Sequence, residues 1–121
     1  MLHIQAKNWG TIAVLSLQGQ IVNGETERLR NAVQVLTEVS AIKLDFARVT
    51  TVDAGGLGTM LALREQLQSK GIRFELMNVN KRIRTVLELT RLDSVFQITA
   101  AVELFPTVSR NRQVAPLASC A

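Results

Sequence analysis

The start of the chain shows the alternation of apolar and polar residues that is typical of half-buried β-strands. The segments 2–7 (LHIQAK) and 11–17 (TIAVLSL) have this β-prone character, and a turn signal at Asn8, Trp9 and Gly10 separates them. We therefore predict an N-terminal β-hairpin.

The rest of the chain alternates between short β-like segments and helix-like segments, in which apolar residues are three or four positions apart. Asp53 and Asn80 stand where they can cap two of the helices, and Gly71 stands where a helix can stop. Predicted helices cover about residues 25–39 and 54–70 and a segment that starts at Asn80, and predicted strands cover 42–46, 72–77 and 95–98. Because strands alternate with helices, we predict an α/β fold with a central mixed β-sheet whose later strands run mostly parallel.

Length and composition indicate one globular domain. The chain has 121 residues, of which 47% are hydrophobic and 20% are charged, as is usual for a globular protein. Its single cysteine, Cys120, allows no disulfide within the chain. The sequence shows neither a secretory signal nor an apolar run of the roughly 18 residues that a membrane span needs. We therefore expect a cytoplasmic protein that does not insert into a membrane.

The ionisable residues argue against several classes of function. The net charge of +4 is spread over several predicted elements, and a basic stripe with interleaved aromatic residues, typical of nucleic-acid binding, is absent. His3 is the single histidine and has no acidic or cysteine neighbours at ligand spacing. Asp45 and Asp53 are better explained as the end of a strand and the cap of a helix than as a catalytic pair. We expect no enzymatic activity and no binding of a nucleic acid, a metal or a cofactor.

Three glycines follow Asp53 closely in the stretch TTVDAGGLGTML, residues 51–62. A P-loop would need a lysine directly after its last glycine, and here no lysine occurs before Lys70. A dinucleotide fingerprint would need a glycine where this chain has Leu61. The bare N–H groups of a helix start can still hold an anion, so a nucleotide-binding sensor stays a weaker alternative. Because each glycine costs roughly 1 kcal/mol in a helix interior, these glycines indicate a close steric approach, either inside the fold or to another protein.

Residues 42–98, from IKLDFARVTTVDAGGLG to LTRLDSVFQI, resemble the STAS domain, a family of bacterial anti-sigma-factor antagonists and cytoplasmic domains of sulfate transporters. The matching features are Val-x-x-Val-Asp-x-x-Gly-Leu-Gly before a helix, a glycine and a strand after it, and a last helix that ends in Leu-x-x-Val-Phe. The segment VLSLQGQI, residues 14–21, resembles the family's second strand. The resemblance covers about residues 3–104, and we predict a STAS domain over 1–105 followed by a flexible C-terminal tail over 106–121.

The resemblance implies regulation through protein–protein interaction. In antagonists of this type, the loop and helix start after the aspartate dock on a serine-kinase-like anti-sigma factor, which frees the sigma factor for transcription. The partner phosphorylates a serine in this segment and so ends the interaction, a partner switch, because phosphate adds charge and bulk to the contact surface. By this resemblance the partner-binding residues are Asp53, Ala54, Gly55, Gly56, Gly58, Thr59 and Met60.

The chain departs from the family pattern at the phosphoacceptor. Gly55 occupies the position of the phosphorylated serine and has no hydroxyl. Thr50, Thr51 and Thr59 are nearby hydroxyls, and whether one of them takes the phosphate instead is left open. The resemblance also leaves homo-oligomerisation open. It allows a second function as well, because small stand-alone STAS proteins are similar to accessory subunits of lipid-type membrane transport complexes.

Overall fold

The computed structural model describes residues 1–99, and within them the chain forms a five-stranded sheet with three helices. In chain order the elements are β1 (His3–Trp9), β2 (Ile12–Ile21), α1 (Thr26–Gln34), β3 (Ala41–Val52), α2 (Ala54–Ser69), β4 (Arg73–Met77), α3 (Lys81–Leu89) and β5 (Gln97–Thr99). The strands lie side by side in this same order. β1 is antiparallel to β2, and β2 through β5 are parallel. The predicted α/β fold with a central mixed sheet and an N-terminal hairpin is confirmed.

The hairpin turn lies one residue later than its predicted position. Trp9 belongs to β1 and pairs with Ile12, so that Gly10 and Thr11 form the two-residue turn. Gly10 has a φ of 65°, and its missing Cβ makes this left-handed conformation inexpensive. β2 extends to Ile21, beyond the predicted end at residue 17, because β3 continues to pair with it up to that residue.

Three further predicted boundaries were wrong, and one of them is the start of β5, which lies at Gln97 and not at Val95. α1 ends at Gln34 and not near residue 39, and Glu38 adopts a φ of 58° that a helix cannot contain. β3 covers 41–52 and not only 42–46. The end of β3 is rich in β-branched residues, but two register shifts against β2 break the period-2 pattern, so that the buried Val49 and Val52 are three positions apart. The ladder with β2 nevertheless holds this part of the backbone as a strand. Asp45 therefore lies inside the strand and does not end it, contrary to the prediction.

The helices pack on one face of the sheet and form the core with it. Alternate strand residues point to this face, and the buried residues of each helix lie against them. From the central strands the core includes Leu15, Leu17, Ile42, Leu44, Phe46, Phe74 and Leu76, and from the helices Leu29, Val33, Leu57, Met60, Leu63, Leu67, Ile83 and Leu87. The predicted apolar face of α2 is confirmed at Leu57, Met60, Leu63 and Leu67. Gly71, with a φ of 75°, follows this helix as predicted.

The opposite face of the sheet holds a buried ion pair. Lys43 on β3 and Glu75 on β4 occupy adjacent paired positions, and their side chains are 10% and 3% exposed. Lys43 Nζ lies 2.9 Å from Glu75 Oε1, and Arg73 Nε lies 3.4 Å from Glu75 Oε2. Arg73 is 63% exposed, so Lys43 is the buried counter-charge of this carboxylate.

The predicted boundary between the domain at 1–105 and the tail at 106–121 lies outside the described residues. The expectation that the tail contributes little to the core therefore stays a prediction. Within residues 1–99, no helix is both long and apolar enough to cross a membrane.

Candidate functional site

Asp53 organises the start of α2. Its Oδ1 accepts a hydrogen bond from the backbone N–H of Gly56 at 2.8 Å, which is the geometry of an N-cap and confirms the predicted role. Its Oδ2 accepts from the backbone N–H of Asn23 at 3.1 Å. One carboxylate thus joins the helix start to the loop that follows β2.

These hydrogen bonds change the acidity of the carboxyl group. The backbone N–H of Asn23, followed by that of Gly56, stabilises the charged form and holds the pKa of Asp53 below its usual value. Asp53 therefore carries its negative charge at neutral pH, and that charge is already engaged by donors of its own chain.

Gly56 is required by the fold itself. A Cβ at this position would press on the carbonyl oxygen of Ile21, with the carbonyl carbon only 2.9 Å away. Gly56 is buried, and the backbone N–H of Asp53 also donates to Ile21 O at 3.3 Å. The close approach that the glycines indicated is therefore, at Gly56, an internal contact between α2 and the end of β2.

The other two glycines face solvent. Gly58 is exposed, and a Cβ added there would meet nothing within 4 Å. Gly55 is also exposed, but a Cβ there would lie 3.2 Å from Asn23 Cβ and 3.4 Å from Asp53 Oδ1. Gly55 therefore accepts a small side chain only if Asn23 moves by a few tenths of an ångström, whereas Gly58 accepts one freely.

The structure divides the predicted partner-binding residues into two groups. Ala54, Gly55 and Gly58 are exposed and Asp53 is half-buried. Gly56 is buried with Thr59 and Met60, which are 7% and 1% exposed. The surface that a partner can reach consists mainly of backbone and small side chains on one side of the first turns of α2.

The three hydroxyls near the glycines differ in accessibility. Thr50 and Thr51 are exposed on the last residues of β3, and Thr50 Oγ1 donates to the carbonyl oxygen of Gly19 at 3.2 Å. Thr59 is buried. Of the three, Thr51 is exposed and has no hydrogen bond from its hydroxyl within the described part of the chain.

Two asparagines fix the start of α3 beside β3. Asn80 caps α3, as predicted, by accepting from the backbone N–H of Ile83 at 2.9 Å, and its Nδ2 donates to the carbonyl oxygen of Val49 at 3.2 Å. Asn78, with a φ of 58°, donates from Nδ2 to Asp45 Oδ1 at 2.9 Å. Sequence reasoning missed this link. Asparagine is one of the few residues that tolerates such a φ, and this was the available signal.

Comparison with known proteins places the site within a family. The family model described as the STAS domain matches residues 3–110. The chain belongs to the STAS domain family. The matched range includes the start of α2.

Solved structures share the fold at low sequence identity. An anti-sigma factor antagonist from Mycobacterium paratuberculosis is 21% identical, with 92% of this chain and 96% of the other covered and a TM-score of 0.76. The Bacillus cell fate determinant SpoIIAA in its phosphorylated form is 21% identical, with 88% and 100% covered and a TM-score of 0.66. A sulfate transporter family protein from Wolinella succinogenes is 19% identical, with 79% and 83% covered and a TM-score of 0.66.

Proposed function

We propose that this STAS protein is a bacterial, cytoplasmic regulator of the anti-sigma-factor antagonist type. It binds a kinase-type anti-sigma factor through the exposed start of α2 and so controls transcription by partner switching. The observation that carries the proposal is the accessible surface of Asp53, Ala54, Gly55 and Gly58 on a family member whose fold matches antagonists. Gly58 leaves open space for a partner at a position where the fold does not require a glycine.

The same site lacks the usual phosphoacceptor. Gly55 occupies the expected serine position, and glycine presents only backbone to a kinase. A structural relative, SpoIIAA, is described in a phosphorylated form. We expect this chain to stay unmodified over residues 53–58 and to act as a permanently unphosphorylated binder.

Binding is tested with purified kinase-type anti-sigma factors from the source organism. Gly58→Glu adds a charged side chain in the proposed contact, and we expect it to weaken binding at least tenfold in calorimetry. Gln68→Glu adds the same charge on an exposed position of α2, about 15 Å further along the helix, and serves as the control. Melting temperatures of both variants should stay within a few degrees of the wild type. If Gly58→Glu unfolds the domain or binds normally, the surface assignment is wrong.

Phosphorylation is tested by intact mass after incubation with the bound anti-sigma factor and ATP. The wild type should gain no phosphate. The Gly55→Ser variant should gain one if Asn23 moves slightly to make room for the serine side chain. Gly55→Asp should reduce binding through its charge and its added side chain. A phosphate mapped to Thr50, Thr51 or Thr59 of the wild type would show that the switch has moved to another residue.

A second candidate function is that of an accessory subunit in a membrane transport complex of the lipid type. The fold match to a sulfate transporter family protein is the observation that connects this fold with transport. Genomic neighbourhood separates the two functions, since a sigma-factor or kinase gene supports the regulator and a transporter operon supports the subunit. Affinity capture followed by identification of a transporter component would decide for the subunit.

A further inference from the structure

α3 carries its charges at the ends where the helix dipole disfavours them. Lys81 and Arg82 are its first two residues, Arg84 is its fourth, and Glu88 precedes the last residue. All four are exposed. A helix start carries partial positive charge and a helix end partial negative charge, so cations at the start and an anion at the end both lower stability.

No carboxylate of the described residues forms an ion pair with these cations. The ion pairs within residues 1–99 are Arg28–Glu25, Arg30–Glu27, Lys43–Glu75 and Arg73–Glu75. None of them includes Lys81, Arg82 or Arg84, which we call the α3 cations. A charge arrangement that opposes the stability of its own helix points to a role in binding.

The α3 cations follow a helix cap that is anchored on β3, the strand that leads into the proposed docking surface. Asn80, immediately before them, is hydrogen-bonded to the carbonyl oxygen of Val49, and Val49 precedes Asp53 by four residues along β3 and the α2 cap. At about 3.3 Å per strand residue, this separation is roughly 13 Å. The Asn80 cap and the Asn78–Asp45 hydrogen bond hold the turn before α3 against β3.

We propose that the α3 cations bind an acidic surface on the protein partner that docks at the start of α2. This inference rests on the proposed function, because it takes the α2 start as the docking site. The exposed part of that start, Ala54, Gly55 and Gly58, offers no charged side chain, and the carboxylate of Asp53 is engaged internally. The α3 cations therefore supply the charge complementarity that steers and orients the partner.

The partner that this surface fits is a protein and not a nucleic acid or a lipid surface. The α3 cations occupy little more than one helical turn, without the aromatic residues that stack on bases. A bilayer or a duplex attracts cations wherever they lie on the surface. An acidic patch on a docked protein instead reaches only the cations beside the docking site.

The experiment compares two variants with equal changes in charge. One replaces the α3 cations with Lys81→Glu, Arg82→Glu and Arg84→Glu. The control carries Lys7→Glu, Arg64→Glu and Lys70→Glu, which lie on β1 and α2 and at the end of α2. The full-length chain, labelled with ¹⁵N, is titrated with a poly-glutamate peptide, with phosphatidylglycerol vesicles and with duplex DNA, at low and at physiological salt.

We expect poly-glutamate to shift the amide signals of the start of α3 and of the start of α2. The affinity for poly-glutamate should fall at least tenfold in the α3 variant and by no more than a factor of two or three in the control. The α3 variant should also melt about 3–8 °C higher at low salt, because glutamates at a helix start agree with the dipole. A lower melting temperature would show that the cations stabilise the fold and would overturn the inference.

Other outcomes overturn the inference in distinct ways. Equal losses in both variants would show attraction to net charge only. Tighter binding to vesicles or DNA than to poly-glutamate would assign the α3 cations to a membrane or a nucleic acid. If the Gly58→Glu variant no longer binds an anti-sigma factor but the α3 variant binds it normally, the proposed function stands and this inference falls. If poly-glutamate binds at the starts of α3 and α2 as expected but no anti-sigma factor binds the wild type, the proposed function falls, and the α3 cations then serve an acidic protein of another class that docks at the start of α2.

Discussion

Single residues of the same type have different roles at the candidate site. Gly56 allows α2 to approach the carbonyl oxygen of Ile21, whereas Gly58, two positions later, touches nothing on its side-chain side. Gly55 is intermediate, since Asn23 limits the size of any side chain there. The glycine-rich stretch therefore combines one internal contact with two positions of exposed backbone.

Alanine substitutions separate these roles. Gly56→Ala pushes a methyl group into the backbone at Ile21 and should destabilise the domain by about 1–3 kcal/mol or more, as overpacking does. Gly58→Ala has free space and should stabilise it by up to about 1 kcal/mol, through higher helix propensity. Urea denaturation of the two variants measures both effects. Equal effects on the free energy of unfolding would contradict the difference in contacts.

Asp53 should make stability depend on pH in the acidic range. Its pKa is lowered in the folded state by the N–H groups of Asn23 and Gly56, so its contribution is fully present above the unfolded value of about 3.9. As the pH falls below that value, the unfolded chain takes up the proton first and the contribution is lost. Asp53→Asn should therefore differ most from the wild type near neutral pH and progressively less below about pH 4.

The measurement is the free energy of unfolding from urea titrations between neutral pH and about pH 3. Asp93→Asn, at an exposed carboxylate, is the control for a general change in charge. A difference between wild type and Asp53→Asn that stays constant over this range would mean that the charge of Asp53 does not stabilise the helix start.

At the scale of elements, the pairing of β3 with β4 includes a buried charge pair. Lys43 and Glu75 lie on neighbouring strands in register, and Glu75 has Arg73 as a second, exposed partner. A buried pair gains little over apolar residues of similar size, but removal of one member leaves the other charge buried alone. The two single substitutions should therefore differ in cost.

Glu75→Leu should destabilise the domain by about 3–5 kcal/mol, because it leaves Lys43 buried without a counter-charge. Lys43→Met should cost less, because Arg73 stays 3.4 Å from Glu75. The free energy of unfolding of the double variant should be within about 1 kcal/mol of the wild-type value or should exceed it. Arg73→Met should change the free energy of unfolding by less than about 1 kcal/mol. Chemical denaturation of the four variants checks this order. A double variant as unstable as Glu75→Leu would contradict it.

At the scale of the whole molecule, the parallel arrangement of β2, β3 and β4 gathers the site at one edge of the sheet. The loop after β2 supplies Asn23, the end of β3 leads into Asp53, and the turn after β4 supplies Asn78 and Asn80. Carboxyl ends of parallel strands meet at the same edge. Three segments that are far apart in sequence are thus brought to one edge of the sheet.

The predicted tail can be tested by truncation of the 121-residue chain. Residues 107–121 have no periodic apolar pattern, so truncation after Phe105 should change the melting temperature by less than about 4 °C, which corresponds to roughly 1 kcal/mol or less in a domain of this size. Calorimetry of the full and the truncated chain checks this. A larger loss would show that the tail contributes to the folded domain.

The sequence by itself determined the features that depend on local chemistry. Periodicity located the hairpin, the parallel strands and the three helices that lie within residues 1–99. The caps at Asp53 and Asn80 were correct because capping needs only a side chain and the backbone three residues away. The end of α1 and the length of β3 were missed. A helix end without a glycine has a weak local signal. The end of β3 loses the alternation of buried and exposed residues because its register against β2 shifts twice, and periodicity does not show such shifts.

Only the tertiary structure decided which site residues a partner can reach. The sequence of the stretch 53–60 does not show that Gly56 is buried and Gly58 is exposed. This difference in contacts arises from Ile21, more than thirty residues earlier in the chain. The same holds for the pairing of Lys43 with Glu75 and for the link from Asn80 to Val49. Burial and long-range contacts depend on how the strands are ordered, and strand order is a property of the folded chain as a whole.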